Sequence, residues 1–379
     1  MVYLDNAATT WPKPESVYQA VVESIRDKGA NPGRGSHQMA MEAGRIIYET
    51  RELVAQLFNV ADPARIVFNC NATEALNLGI KGLLKPGDHV LTTSMEHNSV
   101  TRPLKALEET GVEVDFLPCS PEGLLNPQQI TESIKGNTKL VVVNHASNVN
   151  GTIQPIEEIG KITKEKGLIF MVDAAQTAGV FPLNVETMNI DLLAFPGHKG
   201  LLGPQGTGGL YIGEGVDLVP AREGGTGGNS ESSYQPEVLP DRYESGTPNT
   251  PGIAGLGAGV KFVLEKGLDE IRKHEQELTK QLLIGLQSID KVKIYGLGDA
   301  QKQAPVVSIN IGEEGSSEVA FVLDRAFQIA VRAGLHCSPL AHQTMGTITQ
   351  GTVRFSLGYF NTREEIEYTL ESIKRIAAE

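Results

Sequence analysis

Residues 168–176 read LIFMVDAAQ, a run of apolar residues that ends at the carboxylate of Asp173. The amphipathic stretch IEEIGKITKEK (156–166) precedes this run, and a second apolar run, IDLLAF (190–195), follows it. The same alternation of short apolar runs and amphipathic stretches extends from about residue 64 to residue 212. Apolar strands alternating with helices are typical of a mostly parallel sheet covered on both faces. The sequence therefore predicts an α/β fold whose ligands bind at the carboxyl ends of the strands.

The rest of the chain predicts a second, smaller unit. Residues 213–250 are rich in Gly, Ser and Pro and read as a long loop, a kind of segment that is usually functional or disordered. Helices, four short strands and a last helix follow, and Thr362 with Glu365 has the pattern of a capping box for that helix. We expect a large α/β domain over 14–250, with a mostly parallel seven-stranded sheet. A small α+β domain would be formed by 1–13 and 251–379.

Composition and charge exclude several classes of function. The chain has 379 residues and a net charge of −13, which disfavours binding to nucleic acid or to anionic membranes. No apolar run approaches the ~20 residues of a membrane span, and the start MVYLDNAATT lacks a secretory signal pattern, so we expect a cytoplasmic protein. Cys70, Cys119 and Cys337 are too few and too far apart for a disulfide framework, and no His/Cys cluster predicts a metal site.

Residues that a packed core would not favour follow several predicted strands. They are Asn71, Ala72 and Thr73; His97; Asn148; Asp173 and Gln176; and His198 and Lys199. Taken singly, each has an ordinary explanation, such as a helix cap, a buried hydrogen-bonded acid or a solvated turn. The free N–H groups of the helix that begins near Thr73 would alternatively bind an anion such as phosphate.

Together these residues match the needs of pyridoxal phosphate. This cofactor requires a lysine for a Schiff base, an acid beside its ring nitrogen, an anion site for its phosphate and a flat ring against its face. A metal hydrolase would instead need clustered His and carboxylate ligands, which the sequence does not have. A nicotinamide enzyme would need GxGxxG between a strand and a helix, whereas the GGTGG at 224–228 follows no strand and opens no helix.

The chain resembles the class V, fold-type I pyridoxal phosphate enzymes, and within them the cysteine desulfurase and selenocysteine lyase family. The resemblance runs nearly end to end. It rests on YLDNAATTWPKP at the start, NPGRGSH at 31–37, EHNS, SNVNGT, VDAAQ, GHKG, ESGTPNTPGI at 244–253, RAGLHC and VRFSLGYFNTREE, in this order.

The resemblance implies a role for each residue around the cofactor ring. Lys199 would hold pyridoxal phosphate covalently, and Asp173 would pair with its ring nitrogen. His97 would stack on the ring and relay protons. Gln176 and Asn148 would bond the ring oxygen.

The resemblance also implies a phosphate site with one departure from the family pattern. Ala72, Thr73 and His198 would hold the phosphate, together with Thr247 from a partner subunit, so a homodimer with shared active sites is expected. The family often has a serine three residues before the lysine. Here that position is Pro196, which has neither a hydroxyl nor an N–H.

For the substrate, the resemblance implies that Arg354 binds the carboxylate and that Asn31 and Arg34 border the site. Cys337 would attack the sulfur of L-cysteine and carry it as a persulfide to an acceptor protein, leaving alanine. Cys70 and Cys119 read instead as small buried residues. Selenocysteine cleavage or another class V lyase or aminotransferase reaction remains open, as does a non-catalytic sulfur-carrier scaffold.

The segment around Cys337 decides how the sulfur would be delivered. Gly334 and Pro339 bracket it and predict a mobile loop, while His336 is either a cation that favours the thiolate or a solvent-facing residue. Only 16 residues separate Cys337 from Arg354. This short connection resembles the group II, SufS-like subfamily and predicts low basal activity with dependence on an acceptor protein.

Overall fold

Thirteen strands and eleven α-helices form the described part of the chain, residues 1–33 and 35–378 of the computed structural model. The strands are β1 (Val2–Tyr3), β2 (Ile66–Asn69), β3 (His89–Thr93), β4 (Glu113–Leu117), β5 (Thr138–Asn144), β6 (Ile169–Asp173), β7 (Leu192–Pro196), β8 (Gly208–Ile212), β9 (Val292–Tyr295), β10 (Val306–Ile311), β11 (Ile329–Ala330), β12 (Arg332–Gly334) and β13 (Thr352–Ser356). The helices are α1 (Glu15–Arg26), α2 (Gln38–Phe58), α3 (Ala72–Leu83), α4 (Asn98–Glu108), α5 (Gln128–Ser133), α6 (Ile156–Glu165), α7 (Thr250–Lys266), α8 (Leu268–Gln287), α9 (Ser316–Phe327), α10 (Pro339–Met345) and α11 (Arg363–Ala378).

Seven strands form the main sheet, in the order β2-β8-β7-β6-β5-β3-β4. Strand β8 runs opposite to the other six strands, which are parallel to one another, so the predicted mostly parallel seven-stranded sheet is confirmed. Alternate residues of β5 enter two different cores. Val141 and Val143 pack with α2, α6 and α7, while Leu140 and Val142 pack with α3 and α4 on the opposite face. Burial on both faces explains why β5 is apolar at four successive positions, 140–143.

The C-terminal part contains a smaller antiparallel sheet in the order β12-β13-β10-β9. Its core contains apolar residues of α8, α9 and α11, so the predicted α+β unit is present. Strand β1 pairs with β11 and places the start of the chain beside this sheet. The exact domain limits stay a prediction, since α7 packs on the core of the main sheet through Leu256, Val260 and Val263.

The long helices cover these cores with one face only. Helix α2 buries Val54 and Phe58, and α8 buries Leu278 and Leu282, as expected for amphipathic helices. Among the described residues, no helix combines the length and the apolar character that crossing a bilayer requires.

Two local predictions agree with the structure. In the described residues between β8 and α7 there is no strand or α-helix, as expected for the long loop. Glu244 ties this loop to the main sheet, because it accepts hydrogen bonds from the guanidinium of Arg51 and from the backbone N–H of Phe68. The capping box at α11 is confirmed: the Glu365 N–H donates to Thr362 Oγ1 (3.3 Å), and the Thr362 N–H donates to Glu365 Oε2 (3.1 Å).

Candidate active site

A cleft lies at the carboxyl ends of the parallel strands. This is the edge of such a sheet at which ligands usually bind. The predicted residues that line it are Ala72, Thr73, His97, Asn148, Asp173, Gln176, His198 and Lys199. They lie at the end of β6, at the start of α3 and in the segments that follow β3, β5, β6 and β7. The carboxyl ends of these strands thus bring together residues that are distant in sequence.

Lys199 and Asp173 form the electrostatic centre of the cleft. Burial, against the opposing effect of Asp173 and with a smaller contribution from the charges of Arg354 and Arg332, lowers the pKa of Lys199 to about 8. Burial raises the pKa of Asp173, whereas the Ala175 N–H, which donates to its Oδ1 at 2.9 Å, and the charge of Lys199 act in the opposite direction. An amine with this pKa is partly neutral near pH 8, as a nucleophilic lysine must be.

The ring of His97 is held in one protonation state and one tautomer. Burial lowers its pKa to about 4, and Lys199 adds to this effect, so the imidazole is neutral near pH 7. Its Nδ1 accepts from the Ser99 N–H (3.1 Å), which leaves the ring proton on Nε2. The Ser99 hydroxyl lies 2.9 Å from His97 Nδ1 and 2.7 Å from Thr73 Oγ1, and therefore links the ring to the start of α3.

The start of α3 provides the donors expected of an anion site. Asn71 caps the helix by accepting from the Glu74 N–H at 2.9 Å, while the N–H groups of Ala72 and Thr73, in the first turn, have no intrahelical partner. Nδ1 of His198 is buried and has no hydrogen-bond partner among the described residues. This donor set, with a helix N-terminus, fits the phosphate of pyridoxal phosphate, although Pro196 lines the cleft without contributing a donor.

Arg354 is almost fully buried, with 1% of its surface exposed. Its Nη2 donates to Asp5 Oδ1 at 2.7 Å and its Nη1 donates to the backbone carbonyl of Asn148 at 2.9 Å. Its Nε has no partner among the described residues. The predicted carboxylate-binding guanidinium is thus already paired with an acid of the N-terminal segment.

Cys337 lies outside the cleft and is exposed, but its backbone is anchored beside it. Its carbonyl accepts from the Asn98 N–H (2.8 Å), and Arg332 Nη2 lies 3.4 Å from its Sγ. Hydrogen bonds hold this segment on the side of Asn98 and Asn148, and α10 begins at Pro339. The predicted mobility between Gly334 and Pro339 stays a prediction.

Both expectations for His336 are wrong. The ring is 2% exposed, and its Nε2 lies 3.1 Å from both the carbonyl and the hydroxyl of Thr352. Burial lowers the pKa of His336 to about 2, and the charge of Arg354 adds to this effect. The side chain is therefore a neutral, buried packing residue and does not act as a cation that favours the thiolate.

The profile of the Aminotransferase class-V family matches residues 2–369. The chain belongs to this family. A probable cysteine desulfurase of Methanothermobacter thermautotrophicus is 39% identical over 99% of this chain and 94% of the relative. A cysteine desulfurase of Serratia proteamaculans is 34% identical over 99% of this chain and 93% of the relative.

Solved structures of family members have the same fold. The apo structure of a cysteine desulfurase from Thermococcus onnurineus NA1 superposes with a TM-score of 0.93 and 37% identity, covering 100% of this chain and 94% of the other. The S-sulfonic acid form of the cysteine desulfurase CsdA from Escherichia coli has a TM-score of 0.88 and 27% identity, covering 98% and 94%. The predicted family is confirmed, while the group II assignment stays a prediction.

The remaining predicted residues that the structure describes do not line the cleft of Lys199. Thr247 and Asn31 are exposed and near each other, with Asn31 Nδ2 3.4 Å from Thr247 Oγ1, and Thr247 lines a separate cleft. Arg34 lies outside the described residues.

The two other cysteines differ in exposure. Cys70 is exposed, so its predicted burial is wrong, whereas Cys119 is partly buried and burial raises its pKa to about 11. Within 1–33 and 35–378, no cluster of three His, Cys, Asp or Glu residues could hold a metal ion.

Several residues that contact the site were not predicted from the sequence. Ser99, Asp5 and Arg332 each contact a predicted residue, and Glu96 is fully buried, with hydrogen bonds from Thr93 Oγ1 and the Asn144 N–H. The signal for Ser99 and Glu96 was available, because both lie within two residues of His97. Asp5 is distant in sequence from its partner, so no local pattern indicates the contact.

Proposed function

We propose that this protein is a pyridoxal phosphate-dependent cysteine desulfurase. The observation that carries the proposal is the placement of Lys199 and Asp173 in one cleft, beside an anchored segment that exposes the Cys337 thiol. Relatives named cysteine desulfurase that match almost the whole chain support the same activity.

The cofactor would be held by side chains from several strand ends. The Lys199 amine provides the covalent link, and Asp173 provides a carboxylate that a cationic ring nitrogen would keep ionised. Thr73, Ala72 and His198 provide the phosphate site. His97, Gln176 and Asn148 line the cleft for the ring. When bound, pyridoxal phosphate supplies an electron sink for the substrate carbon.

Around this cofactor the protein binds the substrate and accepts its sulfur. Arg354 offers a buried guanidinium for the carboxylate of L-cysteine. A role of Asn31 and Arg34 in binding the substrate stays a prediction. The neutral ring of His97 has one proton to donate and one nitrogen engaged by Ser99, which suits a proton relay. The Cys337 thiol forms an S–S bond with the substrate sulfur as the substrate C–S bond breaks. L-cysteine and the Cys337 thiol thereby give L-alanine and a Cys337 persulfide, with all atoms retained.

The proposed function includes two protein partners, an acceptor for the sulfur and a second copy of the chain. Because Cys337 is exposed while its backbone is held by the Asn98 N–H, we expect an acceptor protein to bind at the surface around the thiol. The position of Thr247 outside the cleft is compatible with its donation to the active site of a partner subunit, in a homodimer. A cytoplasmic location is part of the same proposal.

The test is to map the persulfide after incubation of the cofactor-loaded protein with L-cysteine, and to measure L-alanine in parallel. We expect the extra sulfur on Cys337 alone, and its loss together with alanine release in Cys337→Ala and Lys199→Ala. Cys70→Ala is the matched control, because Cys70 is also exposed and should be dispensable. Full cysteine turnover by Cys337→Ala would refute the assignment. Retention of selenocysteine cleavage alone would indicate a selenocysteine lyase.

A further inference from the structure

The side-chain amide of Asn148 contacts both neighbours of Cys337. Its Nδ2 donates to the carbonyl of His336 at 2.7 Å, and its Oδ1 accepts from the hydroxyl of Ser338 at 2.8 Å. All three residues are buried, with Ser338 fully so. A buried amide that bonds the residues on either side of the thiol fixes the path of the backbone between them.

That backbone would not keep its conformation without such support. His336 and Cys337 have φ values of +49° and +59°, in the left-handed region that residues other than glycine rarely adopt. Two successive residues of this kind persist only where the surroundings hold them. The Asn98 N–H, which donates to the Cys337 carbonyl at 2.8 Å, adds a third point of support.

Asn148 is itself held firmly and also contacts Arg354. Its backbone carbonyl accepts from Arg354 Nη1 at 2.9 Å, and the next carbonyl, of Val149, accepts from Ser308 Oγ at 2.6 Å. Asn148 also lines the cleft that contains Lys199. One residue therefore borders the cleft, the guanidinium and the thiol segment.

We propose that Asn148 is the positioning residue for the Cys337 thiol, acting through its two hydrogen bonds to His336 and Ser338. This role rests on the proposed desulfurase function. An amide nitrogen carries two hydrogens, and the bond to His336 uses one of them. The second hydrogen remains available for a ligand in the cleft, so the same amide couples occupancy of the cleft to the placement of the nucleophile.

The test uses Ser338→Ala, which removes one of the two bonds and leaves Asn148 in place in the cleft. Ser338 is the N-cap residue of α10 but makes no side-chain capping bond, so the substitution does not uncap that helix. Ser372→Ala is the matched control, because Ser372 is also buried and its hydroxyl also donates one bond at 2.8 Å, within α11.

In the cofactor-loaded Ser338→Ala variant, we expect amide hydrogen exchange in peptides covering 331–345 to be about fivefold faster than in the unsubstituted protein. This factor corresponds to the loss of one buried hydrogen bond. Persulfide formation at Cys337 should slow by a similar factor. The KM for L-cysteine, the visible absorbance of the cofactor and the iodoacetamide alkylation of Cys337, relative to Cys70, should stay unchanged. Equal slowing of alkylation and persulfide formation would instead show a loss of thiol reactivity, which overturns the positioning role.

Unchanged hydrogen exchange would overturn the anchoring by Asn148, and faster exchange with unchanged persulfide formation would overturn its role in catalysis. Absence of persulfide in the unsubstituted protein would refute the desulfurase function, while the exchange measurement would still decide the anchoring. If Ser338→Ala fails to fold, Asn148→Asp gives the hydrogen-exchange readout alone, since its carboxylate keeps the acceptor for Ser338 and loses the donor to His336. Faster exchange over 331–345 is again expected, and unchanged exchange again overturns the anchoring.

Discussion

Asp5→Asn removes the charge that compensates the buried guanidinium of Arg354 while keeping the shape of the side chain. The two charge centres lie ~4 Å apart, which corresponds to about 4 kcal/mol at an effective dielectric constant of about 20. Asparagine still offers an oxygen to Nη2, and the Asp5 side chain is 22% exposed, so part of this energy is retained. We expect the free energy of unfolding to fall by about 2–3 kcal/mol, because an uncompensated charge remains buried.

The assay is urea unfolding of the cofactor-loaded protein, with and without L-alanine. The control is Glu277→Gln, since Glu277 also pairs with an arginine, Arg363, at 2.7 Å, but with side chains that are 46% and 67% exposed. The control should lose at most about 1 kcal/mol. L-alanine should stabilise Asp5→Asn more than the unsubstituted protein, because its carboxylate supplies the missing negative charge. A loss below about 1 kcal/mol in Asp5→Asn would refute the reasoning.

Three further outcomes are expected. Because the Lys199 pKa is about 8, the rate of cofactor capture by the stripped protein, followed by visible absorbance, should rise up to about pH 8 and then level off; a continued rise towards the ordinary pKa of 10.5 would contradict this. Burial raises the pKa of Glu275 to about 8, so the folded state keeps a proton that the unfolded state loses above about pH 4.5, and stability falls as pH rises. Glu275→Gln should therefore gain up to about 4 kcal/mol relative to the unsubstituted protein between about pH 5 and pH 8, in parallel urea titrations. Thr362→Ala should lower the free energy of unfolding by about 1 kcal/mol by removing the cap of α11, and Glu365→Ala should behave similarly; an unchanged midpoint in both would show that the cap is dispensable.

The main sheet and the cofactor end of the site could be predicted because their signals are local. A strand such as β5, apolar at successive positions, indicates burial on both faces, and parallel strands deliver their final residues to one edge. Asp173 is the last residue of β6, and Lys199 comes three residues after β7 ends. Asp173 and Lys199 lie in one cleft because β6 and β7 are adjacent in the sheet. A short connection between two parallel strands favours such adjacent pairing.

The thiol segment could not be predicted in the same way, because its conformation depends on remote partners. His336 is buried and its ring contacts Thr352 of β13, 16 residues along the chain, whereas its sequence neighbours Leu335 and Cys337 are both exposed. The exposure of Cys70 likewise depends on how the chain turns between β2 and α3. A residue in a short connection has no periodic pattern from which to infer its burial.

The pairing of Asp5 with Arg354 also has a consequence for synthesis on the ribosome. The two residues are separated by 349 positions, so at about 5–20 residues per second Arg354 is added on the order of 20–70 seconds after Asp5. During that time the parallel sheet, with Lys199 and Asp173, can already have formed, while the N-terminal segment lacks both its strand partner β11 and its cation. With the roles proposed for Lys199 and Arg354, the residues that hold the cofactor would be in place before the guanidinium that binds the substrate carboxylate has been synthesised.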